Sequence, residues 1–450
     1  MGRWKWALLV ALCACVPVWT TRASSPGLLQ DSDTAVMLRA LQERADPWSW
    51  FRTDWPLENH FYRPVSTLTF EWDLARGGGA GAFGATNALL AIGGILALFW
   101  LLREMADSPW MAGLGAVLFA SWLVGFGQGL EQVAWVVAAS ALALAVLPGR
   151  RLAAAGVAAG AWVFAGAEWI PIAPLHFRML DWIPGRTASV MGLFALVSMA
   201  AYARYERCGT AAARPAPGPL DPPATKSSVS AVAASRWNVA WIGVSLAALA
   251  LALGSYEQAV MVPAALLGIA VSFRLEGRRV RWGWHLLFWA ALVGYLLLRA
   301  SVVPSDPSGY QQQQFRTGPG VGLSLLDYLL PAAGIVWTSS GLLEQGAYLL
   351  LSAGFWAVLL SVASTVAIVW ALRRRWRLTL AGWALSSLAF LPMAWMKSFE
   401  HYHYWPMALR TLFVAAVVGA AANSWISAAS RPTLQAPSRP DPAPGSLPRP

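Results

Sequence analysis

Apolar residues run along this chain in long, nearly unbroken blocks instead of alternating with polar positions at spacings of two or of three to four. A block of roughly 17 to 25 residues can cross about 30 Å of hydrocarbon as a helix whose backbone hydrogen bonds are all internal. The pattern therefore predicts about twelve spans, at 5–20, 86–103, 109–127, 132–148, 153–170, 187–203, 237–254, 258–273, 283–302, 346–371, 378–396 and 405–423. The stretch 322–337, "GLSLLDYLLPAAGIVW", carries Asp327 and Pro331 and reads as a re-entrant or interfacial helix, too short and interrupted for a span. The expected class is an all-α polytopic membrane protein.

The gaps between blocks give the organisation. A first transmembrane helix, 1–20, precedes an external loop over 21–85; helices two to six follow over 86–203, and a proline- and serine-rich linker over 204–235. Helices seven to twelve occupy 236–423, with a second external loop at 303–345, and 424–450 is a proline-rich tail expected to be disordered. Within the first external loop, "DTAVMLRALQERA" has apolar residues near helical spacing and predicts a short interfacial helix, whereas "ARGGGAGAFGA" reads as a flexible return into the next span. The opening "MGRWKWALLVALCACVPVWTTRASS" also fits a cleaved signal sequence, although its flanking tryptophans and the charge pattern favour an uncleaved helix.

Composition strengthens this picture: 57% of the 450 residues are hydrophobic and 12% charged, far from the mixed surface of a soluble domain. Charge then sets the orientation. With the amino terminus inside, cytoplasmic segments hold 21 of the 33 Lys and Arg but 6 of the 22 acids. Clusters at Arg150–Arg151, Arg274 to Arg281 and Arg373 to Arg377 all fall inside, as insertion and anionic lipid prefer. The net charge of +11 thus reports topology in a lipid bilayer and not nucleic-acid binding. Both termini are expected in the cytoplasm of a bacterial inner membrane, with the active face external. Cys13, Cys15 and Cys208 suggest no structural disulfide.

Candidate chemistry gathers at external ends. Asp31 and Asp33, in "LQDSDTAV", could share a divalent cation such as Mg or Mn, with one carboxylate taking an acceptor proton; equally, they could open a helix as caps. The segment "ENHFYRPVSTLTFEWD" supplies His60, Tyr62 and Arg63, whose planar guanidinium suits phosphate or carboxylate. Glu131, and Glu257 in "GSYEQAVMVP", stand at breaks between apolar runs, where an acid either caps a helix or serves a cavity. The hairpin "PLHFRMLDWIPGRTASV" brings His176, Arg178, Asp181 and Arg186. In "SFEHYHYWP", Glu400, His401 and His403 stand just before Arg410. Three readings fit that stretch: an interfacial aromatic belt, a donor-binding rim, or a metal site.

Taken in order, these pieces resemble polytopic glycosyltransferases of the GT-C fold, especially bacterial relatives of the tetratricopeptide-bearing, polyprenyl-phosphate-sugar-dependent O-mannosyltransferases. The family's acid after the first span is met by Asp31 and Asp33, and its Tyr-Arg-Pro element by Tyr62, Arg63 and Pro64. Its Ser-Lys-Glu-x-Ala pattern is similar to Ser255, Tyr256, Glu257, Gln258 and Ala259; its Glu-Arg-Tyr-x-Tyr-x-Pro is similar to Glu400 through Pro406. The family lysine is Tyr256 here and the family arginine is His401, which removes two positive charges, and no tetratricopeptide repeats follow the last span. The resemblance implies a GT-C-like bundle of about 12 transmembrane helices that moves a sugar from a polyprenyl-phosphate donor to a glycan, lipid or protein acceptor. It implies Asp31 as base, with Arg63, Arg186, Glu257, Glu400, His401, His403 and Arg410 around the donor. A transporter, a lipid-linked glycan ligase and a noncatalytic glycan-lipid-binding assembly protein are the competing functions.

Overall fold

The structure, a computed structural model, describes residues 3–44, 46–106, 108–124, 180–211, 227–315, 376–396 and 400–429. The expected spans at 132–148, 153–170 and 346–371, the interfacial helix at 322–337, Glu131, His176, Arg178, residues 212–226 of the linker and 430–450 of the tail lie outside the described residues.

The described residues are all-α apart from one isolated bridge between Phe315 and Met396. α1 (Arg3–Thr20) leads to α2 (Ser32–Glu43) and α3 (Pro64–Ala75), which alternate with 3-10 turns at Pro26–Leu29 and Pro47–Arg52. α4 (Ala80–Ala106) and α5 (Pro109–Val124) follow, then α6 (Arg186–Ala211), α7 (Ser227–Leu253), α8 (Val262–Leu275) and α9 (His285–Val302). A short α10 (Gly309–Gln314), α11 (Trp376–Trp395) and α12 (Tyr404–Ala429) complete the set. Prolines sit at the first turn of α3 and α8, where the missing N–H costs nothing.

The span count requires correction. Among the described residues, five helices are long and apolar enough to cross a membrane: Ala80–Ala106, Arg186–Cys208, Glu257–Leu275, Trp282–Val302 and Trp376–Trp395. Three further apolar helices, Trp4–Thr20, Pro109–Val124 and Val239–Leu253, have 10–17 residues. At about 1.5 Å per residue they fall short of the hydrocarbon thickness, which a count of apolar runs does not register. The GT-C-like bundle of about twelve transmembrane helices is therefore not the architecture found. What stands is an all-α, multi-pass membrane architecture with long apolar helices for a bilayer to surround.

α6 is the central helix, packing against α4, α7, α8 and α12. It can do so because small residues let neighbours in: the Tyr404 ring of α12 lies directly against Gly94 of α4 and Gly192 of α6, where a Cβ would collide with it. A second, smaller core gathers Leu28, Met37, Leu41, Trp50, Trp55, Phe70, Phe83 and Ile183 beneath α2 and α3, so the first loop is a folded cap. The glycine-rich return is helical from Ala80, and Gly84 passes directly beneath the Ala23 carbonyl.

Candidate functional site

The cap is fastened to the helices through main-chain carbonyls. Val65 N–H donates to Gly254 O at 2.9 Å and Ser66 Oγ to Ser255 O at 2.9 Å, which sets Arg63, at the start of α3, beside the 3-10 turn Glu257–Met261. From that turn, the buried Gln258 side chain donates through Nε2 to Ala389 O at 2.9 Å and Tyr402 O at 3.0 Å. Segments around 63, 257 and 401 are thereby held together.

Arg63 is enclosed by aromatic faces, with its guanidinium carbon 4.1 Å from the Phe61 ring centroid, 4.4 Å from Tyr256 and 5.4 Å from Trp55. Its Nε and Nη2 both donate to Glu257 Oε2, at 2.9 and 2.7 Å. Burial opposes the Arg63 charge, but Glu257 together with Tyr256 and Tyr402 outweighs it, and the guanidinium pKa is raised. Among the described residues, Glu257 Oε1 and the Tyr295 hydroxyl are buried without a hydrogen-bond partner. They leave acceptor and donor capacity next to the ion pair.

His401 stands on the other side of Tyr256. Its ring lies 6.0 Å from Tyr256, 4.4 Å from Tyr402 and 5.0 Å from Trp182. Burial first, then Arg63 and His403, push its pKa down to about 3, so it is a neutral imidazole at physiological pH. Trp182 carries the chain onward, donating from Nε1 to Asp31 Oδ2 at 3.0 Å. Asp31 also accepts from Thr34 Oγ1 at 3.4 Å; its backbone opens α2, but its side chain does not cap the helix. Asp33 is exposed in the first turn of α2, within electrostatic reach of Tyr310, which packs edge-on against Phe61. Asp31, Trp182, His401, Tyr256, Arg63 and Glu257 form one continuous cluster.

No family model matches this chain, and no curated protein or solved structure matches it either.

Several other anticipated residues lie outside this cluster, held by contacts within the fold. Arg186 is fully buried: Nη2 meets Asp73 Oδ2 at 2.7 Å and Phe83 O at 2.9 Å, Nε meets Asn87 Oδ1 at 2.6 Å, and Nη1 meets Thr69 O at 3.1 Å. With all three nitrogens engaged, it rivets α3 and α4 to α6, and a phosphate could reach it only by displacing Asp73. Tyr62 is buried beside Tyr295 and donates to Phe51 O at 3.1 Å. His60 braces the loops: Nδ1 meets Asp306 O at 2.9 Å, and its carbonyl accepts from Arg299 and Gln311. His403 stacks on Phe390 at 5.2 Å, and Arg410 is buried in α12. The Glu400 side chain lies outside the described residues.

The two carboxylates expected to share a Mg or Mn ion, Asp31 and Asp33, stand at the start of α2. Asp31, the extended residue before the helix, has its Oδ2 bonded by Trp182 Nε1, and Asp33 is exposed in the first turn. Among the described residues, no three His, Cys, Asp or Glu side chains gather to hold a metal.

Sequence reasoning gave no role to Trp182, to Tyr256 as a ring partner, or to Asp54. The Asp54 carboxylate accepts from the amides of Trp55 at 2.7 Å, His60 at 2.9 Å and Phe61 at 2.9 Å, and so folds the loop that delivers Arg63. That loop holds Glu58 at φ 50 and His60 at φ 61, left-handed conformations a non-glycine residue keeps only when its surroundings impose them. Asn87, a lone amide within an apolar helix, was the available sign of the Arg186 rivet.

Proposed function

We propose that the protein is a membrane glycosyltransferase that moves a sugar from a polyprenyl-phosphate-linked donor to an acceptor at the face carrying the α2–α3 cap. The observation supporting this is convergence: Asp31, Arg63, Glu257 and His401, drawn from four separated stretches by their likeness to such transferases, meet in one aromatic-walled cluster. In this reading that face is external and the membrane a bacterial inner membrane, with the arginine-rich turn 274–281 on the cytoplasmic side.

In the reaction, Asp31 takes the acceptor hydroxyl proton as that oxygen attacks the anomeric carbon. The bond from that carbon to the phosphate oxygen breaks, the lipid phosphate departs with the electron pair, and the configuration inverts. Arg63 faces the departing anion by exchanging part of its contact with Glu257, while Glu257 Oε1 accepts a substrate hydroxyl. Neutral His401 keeps Trp182 and Tyr256 in place and adds no charge. Each of these roles falls to a side chain of the one cluster.

The test is turnover by purified, reconstituted protein with a panel of polyprenyl-phosphate sugars. Asp31→Asn should lower transfer by about 10²-fold or more with normal membrane insertion, and unchanged turnover rejects Asp31 as the base. One observation favours a second reading, a noncatalytic glycan-lipid-binding role: the Arg63 charge is already matched by Glu257. Donor binding without turnover by the wild type would select it.

A further inference from the structure

At the opposite end of the helices, α8 turns into α9 through "RLEGRRVR", which puts Arg274, Arg278, Arg279 and Arg281 within eight residues against one acid, Glu276. The turn is built, not loose. Gly277 takes a left-handed φ of 81, and Arg278 N–H closes back on Phe273 O at 3.0 Å. Arg278 Nε pairs with Glu276 at 2.9 Å.

A buried polar cluster then clamps the turn to α6. The Tyr205 hydroxyl accepts from Arg281 Nη1 at 3.1 Å and Trp284 Nε1 at 2.6 Å; Tyr202 joins Glu206 at 2.9 Å and His285 Nε2 at 3.0 Å. Arg274, Arg279 and Arg281 nevertheless remain exposed, and Trp282 beside them is 45% exposed. Directly below, the outer face of α9 is bare and apolar, with Leu286 at 75%, Val293 at 54% and Leu297 at 68% exposure. Fixed positive charge, an interfacial tryptophan and an apolar wall thus follow one another along the helix axis. That sequence of surfaces matches an amphiphile with an anionic head and hydrocarbon tails.

We propose that the α8–α9 turn and the outer face of α9 form a binding site for an anionic phospholipid, its headgroup phosphate on Arg274, Arg279 and Arg281 and its acyl chains along α9. The site is independent of the transferase reading. A bound headgroup would fix the end of α8 whose other end begins beside Glu257.

Native mass spectrometry of the full-length protein in detergent tests this, with phosphatidylglycerol, phosphatidylcholine of the same chains, and inorganic phosphate as probes. Phosphatidylglycerol should remain bound and raise the melting temperature, phosphatidylcholine should do neither, and inorganic phosphate at equal concentration should not displace the lipid. Arg274→Gln with Arg279→Gln should weaken phosphatidylglycerol binding about thirty-fold, and Arg274→Lys with Arg279→Lys should restore most of it. Arg39→Gln with Arg76→Gln removes the same charge from exposed positions on the cap and should leave binding unchanged. Equal weakening by that control pair, equal retention of phosphatidylcholine, or displacement by phosphate alone would overturn the proposal.

Discussion

Arg63 and Arg186 are both largely withdrawn from water, yet they are bonded differently. Arg186 spends every nitrogen on Asp73, Asn87 and two main-chain carbonyls; Arg63 concentrates on a single carboxylate oxygen and otherwise rests on ring faces. Sequence marked both arginines as candidates because it shows residue type without partners, and the acid that claims Arg186 lies 113 positions away at Asp73. His401 offers a sharper case. Its stretch reads as an interfacial aromatic belt, a donor-binding rim or a metal site, and in the fold burial, Arg63 and His403 depress its pKa from 6.5 to about 3. The unfolded chain therefore binds a proton that the folded chain refuses between those values, so this contribution to stability is complete above about pH 6.5 and is lost as pH falls toward 3. One such group changes stability by at most about 1.4 kcal/mol per pH unit inside that window. Melting curves of wild type and His401→Gln from pH 7.5 down to about 4 should show a steeper acid loss in the wild type. Parallel curves would mean that His401 titrates alike in both states.

Helices were easier to read than their lengths. The runs at 283–302 and 258–273 correspond to α9 and α8, and 5–20 to α1, because a buried or lipid-facing helix needs only continuous apolarity to be visible. Whether a helix spans, however, depends on how many of its residues stay apolar, and α1 and α5 stop short. Glycine has two uses in the expected flexible return: Gly77 and Gly78 make a left-handed turn before the helix, whereas Gly84 lies inside it, where the missing side chain admits the Ala23 carbonyl. Gly94 allows a direct test of that principle where α4 meets α12. Its position is pressed by the Tyr404 hydroxyl, which is buried without a hydrogen-bond partner among the described residues. Gly94→Ala should cost about 1–3 kcal/mol by overpacking. Tyr404→Phe alone should cost little, since no bond is lost, and combined with Gly94→Ala it should recover most of the stability. A double variant no better than Gly94→Ala would place the strain in the backbone and not at that hydroxyl.

The two polar centres sit at opposite ends of α6, one beside Arg186 and the other at Tyr202 to Glu206. Sixteen to twenty residues of helix separate them, a rise of about 24–30 Å, which matches the hydrocarbon thickness of a bilayer. This geometry gives the charge asymmetry a physical meaning: the arginine-rich α8–α9 turn lies at the end away from the acid-bearing cap. Insertion bias keeps such basic turns in the cytoplasm, so the Asp31–Arg63 cluster should open on the other side. Cysteine labelling decides the matter. After replacement of Cys13, Cys15 and Cys208, Glu43→Cys on the cap and Arg279→Cys on the turn place one exposed thiol at each end. A membrane-impermeant maleimide added to intact cells with an accessible outer face of that membrane should mark Glu43→Cys at once and Arg279→Cys only after permeabilisation. Marking of both before permeabilisation would contradict a membrane-crossing α6; the reverse order would turn the molecule over and put the cap, with Asp31, in the cytoplasm, where the polyprenyl-linked donor reading loses its external face.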